Sequence, residues 1–453
     1  MNAPGQPPPA LPRVLWALLF GNFVIGSGVM VVPGTLNDIS TSLAISIPVA
    51  GQLISAAALL MCLGAPLLAG LVSTWDRRRL LTGCMLWYGL MHMVCALMPS
   101  FETLLAARVL TVISPAIFTP QAAACVGALV PPHQRGRAIS LVFLGWSVAS
   151  VVGMPLGSWI GGSLGWRYAF VLIGLLSCAS AAWVWRTMPH QLTPPAFTFD
   201  TWRQTFSSRG LLLCVGVTAS YSAGQFVLFS YFAPYFKINL NISPFQLSLM
   251  FAWFGAFGFL GNLWISHNVD RLGAARSVTL AIALIACSLL LWPLGTSLIA
   301  AALILVPWAL GCFAANSAQQ ARLVSLAPNL SSGSIALNTS AMYAGQALGA
   351  ASGGWLIAHG EMSRLHAVGL AILLGSMLLS GYATRVANRT TASHSGPWLG
   401  QSSGPLNQPP VSHQVGWPPV SPYCQPILDA TAQSQHNERS APRVAAEDPP
   451  IDR

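Results

Sequence analysis

Apolar runs, each about as long as a bilayer is thick, follow one another along the chain and are separated by short stretches of charge, proline and turn residues. Reading between these breaks predicts twelve membrane-spanning helices, at 13–36, 46–74, 80–99, 102–130, 135–164, 167–188, 209–236, 244–268, 276–295, 297–325, 332–358 and 363–385. The second and fourth exceed the length that hydrocarbon requires, so they are expected to tilt, kink or project. The first is too long for the apolar core of a cleaved signal and is expected to stay in the membrane. Pro189, Pro194, Pro195 and Asp200 mark a polar connection that divides the spans into six and six. The expected organisation is a segment 1–12, a first half 13–188, a linker 189–208, a second half 209–385 and a tail 386–453. The tail is rich in Pro, Ser and Gln and is expected to be disordered. The fold class is an all-α membrane protein.

Composition agrees, with 54% of residues hydrophobic and 7% charged, against about 25% charged in ordinary soluble domains. A soluble enzyme, a disordered chain and a nucleic-acid binder are therefore excluded as classes. The net charge of +10 does not restore the last of these, because the basic residues are scattered rather than gathered into a groove. They are also asymmetric: fourteen lie in one alternate set of loops and three (Arg167, Lys237, Arg364) in the other, which predicts both termini in the cytoplasm. The nine cysteines sit singly with no metal-ligand spacing, so neither a disulfide framework, a metal nor a cofactor is expected.

Charge inside an apolar run is costly and by default functional. Arg108 meets that description, with snorkelling to the outer headgroups as the alternative. No carboxylate lies deep in a span. Asp38, after the first, is nearest to Arg108 in expected depth and is the candidate proton carrier, though it also reads as a helix-end residue. His92 in the third span is a second titratable candidate, with a structural role as its alternative.

Two short loops lying six spans apart both contain an Asp-Arg pair, Asp76-Arg77 and Asp270-Arg271, as a parallel repeat of two halves would produce. With Leu272, Gly273 and Arg276 following, the second resembles the cytoplasmic loop motif of the major facilitator superfamily. Arg108 resembles that superfamily's fourth-helix arginine. Gly145, Gly153, Pro155 and Gly157 resemble the antiporter motif of its drug:proton antiporter branch, which includes sugar-efflux and purine-efflux permeases. Tyr231-Phe232-Ala233-Pro234 and the eleventh span are similar to the same branch. The first loop departs from the pattern, with Arg77 where the family has Gly. So does Val29, where many relatives carry Glu.

The resemblance implies two six-helix halves around a central cavity lined by the first, fourth, seventh and tenth helices. The polar residues there are Asn22, Ser27, Thr111, Ser114, Ser220, Tyr221, Ser222, Gln225, Asn316, Gln319 and Gln320, as substrate contacts or as interhelical glue. Gating would fall to Asp270, Arg271 and Gly273, to Arg77, Arg78 and Arg79, and to a bend at Gly145, Gly153, Pro155 and Gly157. The implied activity is secondary transport across a bacterial inner membrane by a monomer. Its expected form is proton-coupled efflux of a small neutral or weakly anionic molecule, with proton symport uptake as the rival. A membrane enzyme and a transport-deficient receptor are the readings from other classes.

Overall fold

The computed structural model describes residues 11–72, 74–131, 135–192, 199–327 and 330–394. These form sixteen α-helices with no strand among them. The first half comprises α1 (Leu11–Ser42), α2 (Ile47–Leu71), α3 (Arg77–Leu97), α4 (Phe101–Thr111), α5 (Ile113–Leu129), α6 (Arg135–Val148), α7 (Met154–Leu164) and α8 (Trp166–Thr187). After α9 (Phe199–Ser207), the second half comprises α10 (Arg209–Phe229), α11 (Phe232–Leu240), α12 (Pro244–Leu272), α13 (Ala274–Leu291), α14 (Leu298–Leu326), α15 (Ser331–Ala358) and α16 (Leu365–His394). Eleven spans among the described residues are long and apolar enough to cross a membrane. The twelfth is α15, 28 residues long and interrupted by Gly, Ser, Asn and Gln.

Helix breaks fall where proline removes a backbone donor. A proline leaves the carbonyl four residues earlier without its intrahelical partner. Pro115 does this to Thr111, and the fourth span divides there into α4 and α5. Pro155 does it to Val151, within a π-helical turn, Ala149–Gly153, that joins α6 to α7. Pro234 does it to Ser230, at the junction of α10 and α11.

Two sequence expectations shift. The 189–208 connection is helical over Phe199–Ser207 rather than a plain polar link. The last helix continues to His394, nine residues into the expected tail, because Arg385–His394 contains no proline or glycine to stop it. The remainder of the tail lies outside the described residues, as do residues 1–10.

The bundle has two ends, one bearing Arg13, Arg77 and Arg322 (the basic end) and one bearing Asp38, Lys237 and Arg364 (the far end). Toward the basic end the first half keeps an apolar core of its own, including Val14, Leu18, Leu81, Met85, Phe118 and Val142. From mid-bundle to the far end, residues of both halves share one cluster, including Leu36, Leu53, Phe170, Tyr231, Phe232 and Phe251. The halves meet where α2 packs on α15, α7 and the π turn on α12, and α1 on α11.

Candidate functional site

Pro33 lies inside α1 and leaves the carbonyl of Val29 without a helical donor. Arg108 of α4 supplies one. Its Nη2 donates to Gly28 O at 2.9 Å and to Val29 O at 3.4 Å. The guanidinium is 3% exposed, so it faces protein rather than reaching the headgroups. Beside it, His92 is fully buried. Its Nδ1 donates to Tyr88 O at 2.9 Å, and its ring packs on Tyr88 and Phe170. The absence of a side chain at Gly28 gives His92 and Tyr88 their room, since a Cβ there would lie 2.8 Å from His92 Nε2.

Asp38 is not paired with Arg108. It lies ten residues beyond Gly28, about 15 Å along α1 at the usual helical rise. There it sits against Gly161 of α7 and within electrostatic reach of Lys237 in the other half.

Each half contains a polar node, and the two correspond. In the first, Thr119 Oγ1 donates to Asn22 Oδ1 at 2.8 Å, and Asn22 Nδ2 donates to Val142 O at 3.2 Å. In the second, Thr218 Oγ1 donates to Asn338 Oδ1 at 2.5 Å, and Asn338 Nδ2 donates to Asn316 Oδ1 at 3.2 Å. The first joins spans one, four and five, and the second joins seven, ten and eleven. Buried polar groups so satisfied fix one helix arrangement, and here each holds its own half together.

Most other polar candidates are also spent on helix contacts. Ser114 Oγ donates to Cys84 O at 2.8 Å, Gln319 to Cys214 O, and Thr111 back to Ala107 O at 2.9 Å. Trp308 Nε1 donates to Gln225 Oε1 at 3.4 Å, and Ser222 Oγ to Met342 O at 2.7 Å. Ser27, which donates to Phe23 O at 2.8 Å, is the surface on which Gly153 packs, and Tyr221 is buried in the second half's core. Asn316 and Gln320 stay partly exposed, as do Thr119, which sequence reading passed over, and Ser220.

The gating candidates separate into distinct environments. Gly145 lies against Leu19 O and Phe23 N of α1, and Gly157 against Val31, where a Cβ would sit 3.4 Å from Val31 Cγ2. The Pro155 bend is expressed as the π turn, and α12 abuts that turn through Gly255. Gly273 has φ +81°, a conformation that favours glycine, and it ends α12 directly before α13. Asp270 and Arg271 are exposed, and the one ion pair among the described residues is Arg364 with Glu361 at 3.1 Å. In the other loop Asp76 caps α3, accepting from Arg79 N at 3.3 Å, while Arg78 covers the Trp185 ring at 4.2 Å and contacts His190.

Arg77 is buried. Its Nη1 donates to Val72 O at 2.8 Å and Trp75 O at 2.9 Å, and its main-chain N–H donates to Leu192 O at 3.1 Å. The departure from the family's Gly thus supplies a side chain that ties the start of α3 to the turn after α2, while the bond to the linker is made by the main chain. Arg77→Gly should cost about 3 kcal/mol, the loss of two hydrogen bonds from a charged donor. The check is thermal unfolding of the purified protein beside Arg78→Gly. Equal midpoints for the two variants would show that Arg77 carries no structural load.

Arg322, one of the fourteen basic residues counted as loop cations, is instead held inside the helix bundle. It is 3% exposed and joins α14 to α16, donating to Ser380 Oγ at 3.1 Å, Ser380 O at 3.2 Å and Thr384 Oγ1 at 2.9 Å. Sequence reading also missed Tyr343 and Gln346 of α15, which line a small cavity with Arg108 between the halves. Their polar character within an apolar run was the available signal.

The sequence model of the Major Facilitator Superfamily matches residues 18–350. The inner membrane transport protein YdhP of Escherichia coli strain K12 is 28% identical over 365 residues, 81% of this chain and 94% of that protein. A chloramphenicol resistance protein of Streptomyces lividans is 31% identical over 265 residues, 58% of this chain and 68% of that one. In fold, the chain is similar to a crystal structure of a bacterial homolog of the human lysosomal transporter Spinster, captured inward-facing and unoccupied. The TM-score is 0.67 at 19% identity, covering 86% of this chain and 99% of that one.

Proposed function

The chain belongs to the Major Facilitator Superfamily, and from that premise we propose that it exports a small neutral or weakly anionic molecule in exchange for protons. It is a multi-pass membrane transporter, not an enzyme, and its relatives include bacterial inner membrane proteins. We place both termini in the cytoplasm, on the loop asymmetry of arginine. The basic end, where the first half keeps a separate core, then faces the cytoplasm, and the conformer described is inward-facing. The transporter works as a monomer and carries no nucleic-acid partner in this reading.

The observation that carries the substrate class is Arg108 bonded to the Val29 carbonyl. Where many relatives place an acid able to attract a cation, this chain has an apolar side chain and, across from it, a fixed positive charge. A cation entering there would lose its hydration without compensation. A neutral hydroxylated or heterocyclic molecule could instead bond to Thr119, Asn316 and Gln320, and a weak anion to Arg108. The similarity to a chloramphenicol resistance protein supports export.

The test is uptake into inverted membrane vesicles from cells with and without the protein, using a panel of neutral, anionic and cationic compounds. Transport of a neutral or anionic compound should collapse with an uncoupler and weaken at least about tenfold in Asp38→Asn, since each 1.4 kcal/mol of lost coupling is tenfold. Full uncoupler-sensitive transport by Asp38→Asn would remove Asp38 from the proton path and leave His92. Robust uncoupler-sensitive transport of ethidium, dependent on the protein, would overturn the substrate class.

A further inference from the structure

An arginine stays protonated in proteins, so one buried without an anionic partner keeps an uncompensated charge. Arg108 is in that position. Nη2 is used on the carbonyls of α1, while Nε and Nη1 are buried and meet no hydrogen-bond geometry with a described residue, the neighbouring Tyr88 hydroxyl being donated to Ile25 O at 3.0 Å. No carboxylate pairs with it, since the ion pair among the described residues is Arg364 with Glu361.

Arg108 lines a cavity of about 20 Å³ between the halves, room for about one small group. Tyr343 and Gln346 of α15 line the opposite side, and Val29, Leu53, Ala57 and Met61 supply apolar walls. Tyr343 is 5% and Gln346 8% exposed. A phenol and a carboxamide each offer an N–H or O–H donor. The cavity therefore combines one fixed positive charge with donors from both halves, in surroundings of low dielectric where a charge-assisted bond is strong.

We propose that this cavity binds a monovalent anion, either a halide-sized ion or the anionic group of the transported molecule, held by Arg108 from one half and by Tyr343 and Gln346 from the other. A ligand so placed bridges the halves, and its binding favours conformers in which α4 and α15 approach. The organic-anion form of the proposal rests on the transport reading, whereas binding of a free ion does not.

The experiment is thermal unfolding of the full-length protein in nanodiscs, titrated with sodium bromide or sodium benzoate at an ionic strength held constant with sodium sulfate. A saturable rise in midpoint is expected with at least one of the two. Saturation by bromide identifies a free ion as ligand, and saturation by benzoate alone identifies the anionic group of a larger molecule. Arg108→Gln should raise the half-saturating concentration at least about tenfold, the loss of a hydrogen bond to a charged group. The double variant Tyr343→Phe/Gln346→Leu leaves the bonds from Arg108 to α1 intact and should raise it several-fold, so it carries the comparison if Arg108→Gln does not fold. No saturable response in the wild type, or unchanged half-saturation in a folded variant, overturns the site. Saturable binding in a protein that transports none of the vesicle panel would keep the site and sink the transport reading.

Discussion

Gly255→Val should leave both halves folded and depopulate the conformer described here by at least about tenfold. A Cβ at Gly255 would lie 2.8 Å from Val151 Cα and closer still to the carbonyl of Ser150. These are backbone atoms of the π turn, and they cannot move aside as a side chain end would. Overpacking of this kind costs about 1–3 kcal/mol even where neighbours yield, and a rigid backbone places it at the upper end, 1.4 kcal/mol being tenfold in population. Because α12 and the π turn belong to different halves, the cost falls on their approach rather than on either fold. The readout needs no substrate. In this conformer Ile39, near the far end of α1, is fully buried in the cluster that both halves share. In a background without the native cysteines, a maleimide should label Ile39→Cys slowly, and adding Gly255→Val should speed labelling at least about tenfold. An unchanged labelling rate would show that the seam between α12 and the π turn does not govern closure of the far end.

Gly349→Val should act on the fold instead. Along α15, Gly345, Gly349 and Gly353 recur every fourth residue and meet Ala219 O, Ala223 O and Val227 O of α10, which recur with the same period. Small residues at that spacing let two helices approach backbone to backbone. A Cβ on Gly349 would lie 2.9 Å from Phe226 Cβ and 3.0 Å from Val227 N, in addition to its contact with Ala223 O. The expected cost is about 3 kcal/mol, enough to lower the yield of monodisperse protein severely. Gly375→Val is the control, in the same half and with nothing within 4 Å of an added Cβ. Its yield should match the wild type. Equal yields for both variants would show that the α10 and α15 backbones are not held at contact distance.

Much of this arrangement is legible from sequence because lipid is an exacting solvent. A backbone that cannot bond to water has to close its own hydrogen bonds, so apolar run length translates directly into helices. Proline positions were equally legible: Pro155 marks a bend, and Gly273 marks a turn, because both act through their own backbone.

What sequence could not decide is where a polar side chain is used. Asn22, Ser114 and Gln319 are polar groups in apolar runs whether they face a cavity or a neighbouring helix, and the structure spends them on Val142 O, Cys84 O and Cys214 O. Arg322 looked like a loop cation, yet α14 runs past it and the Ser380 and Thr384 groups of α16 receive it. Asp38 and Arg108 looked close in depth, but Pro33 opened nearer acceptors to Arg108 on α1. Helix formation is local, set by each run's own backbone and side chains, and so the sequence by itself determined the spans and their breaks. Which half a side chain serves, and that Arg108, Tyr343 and Gln346 line one cavity, depends on contacts between residues more than two hundred positions apart, and the tertiary structure alone decided it.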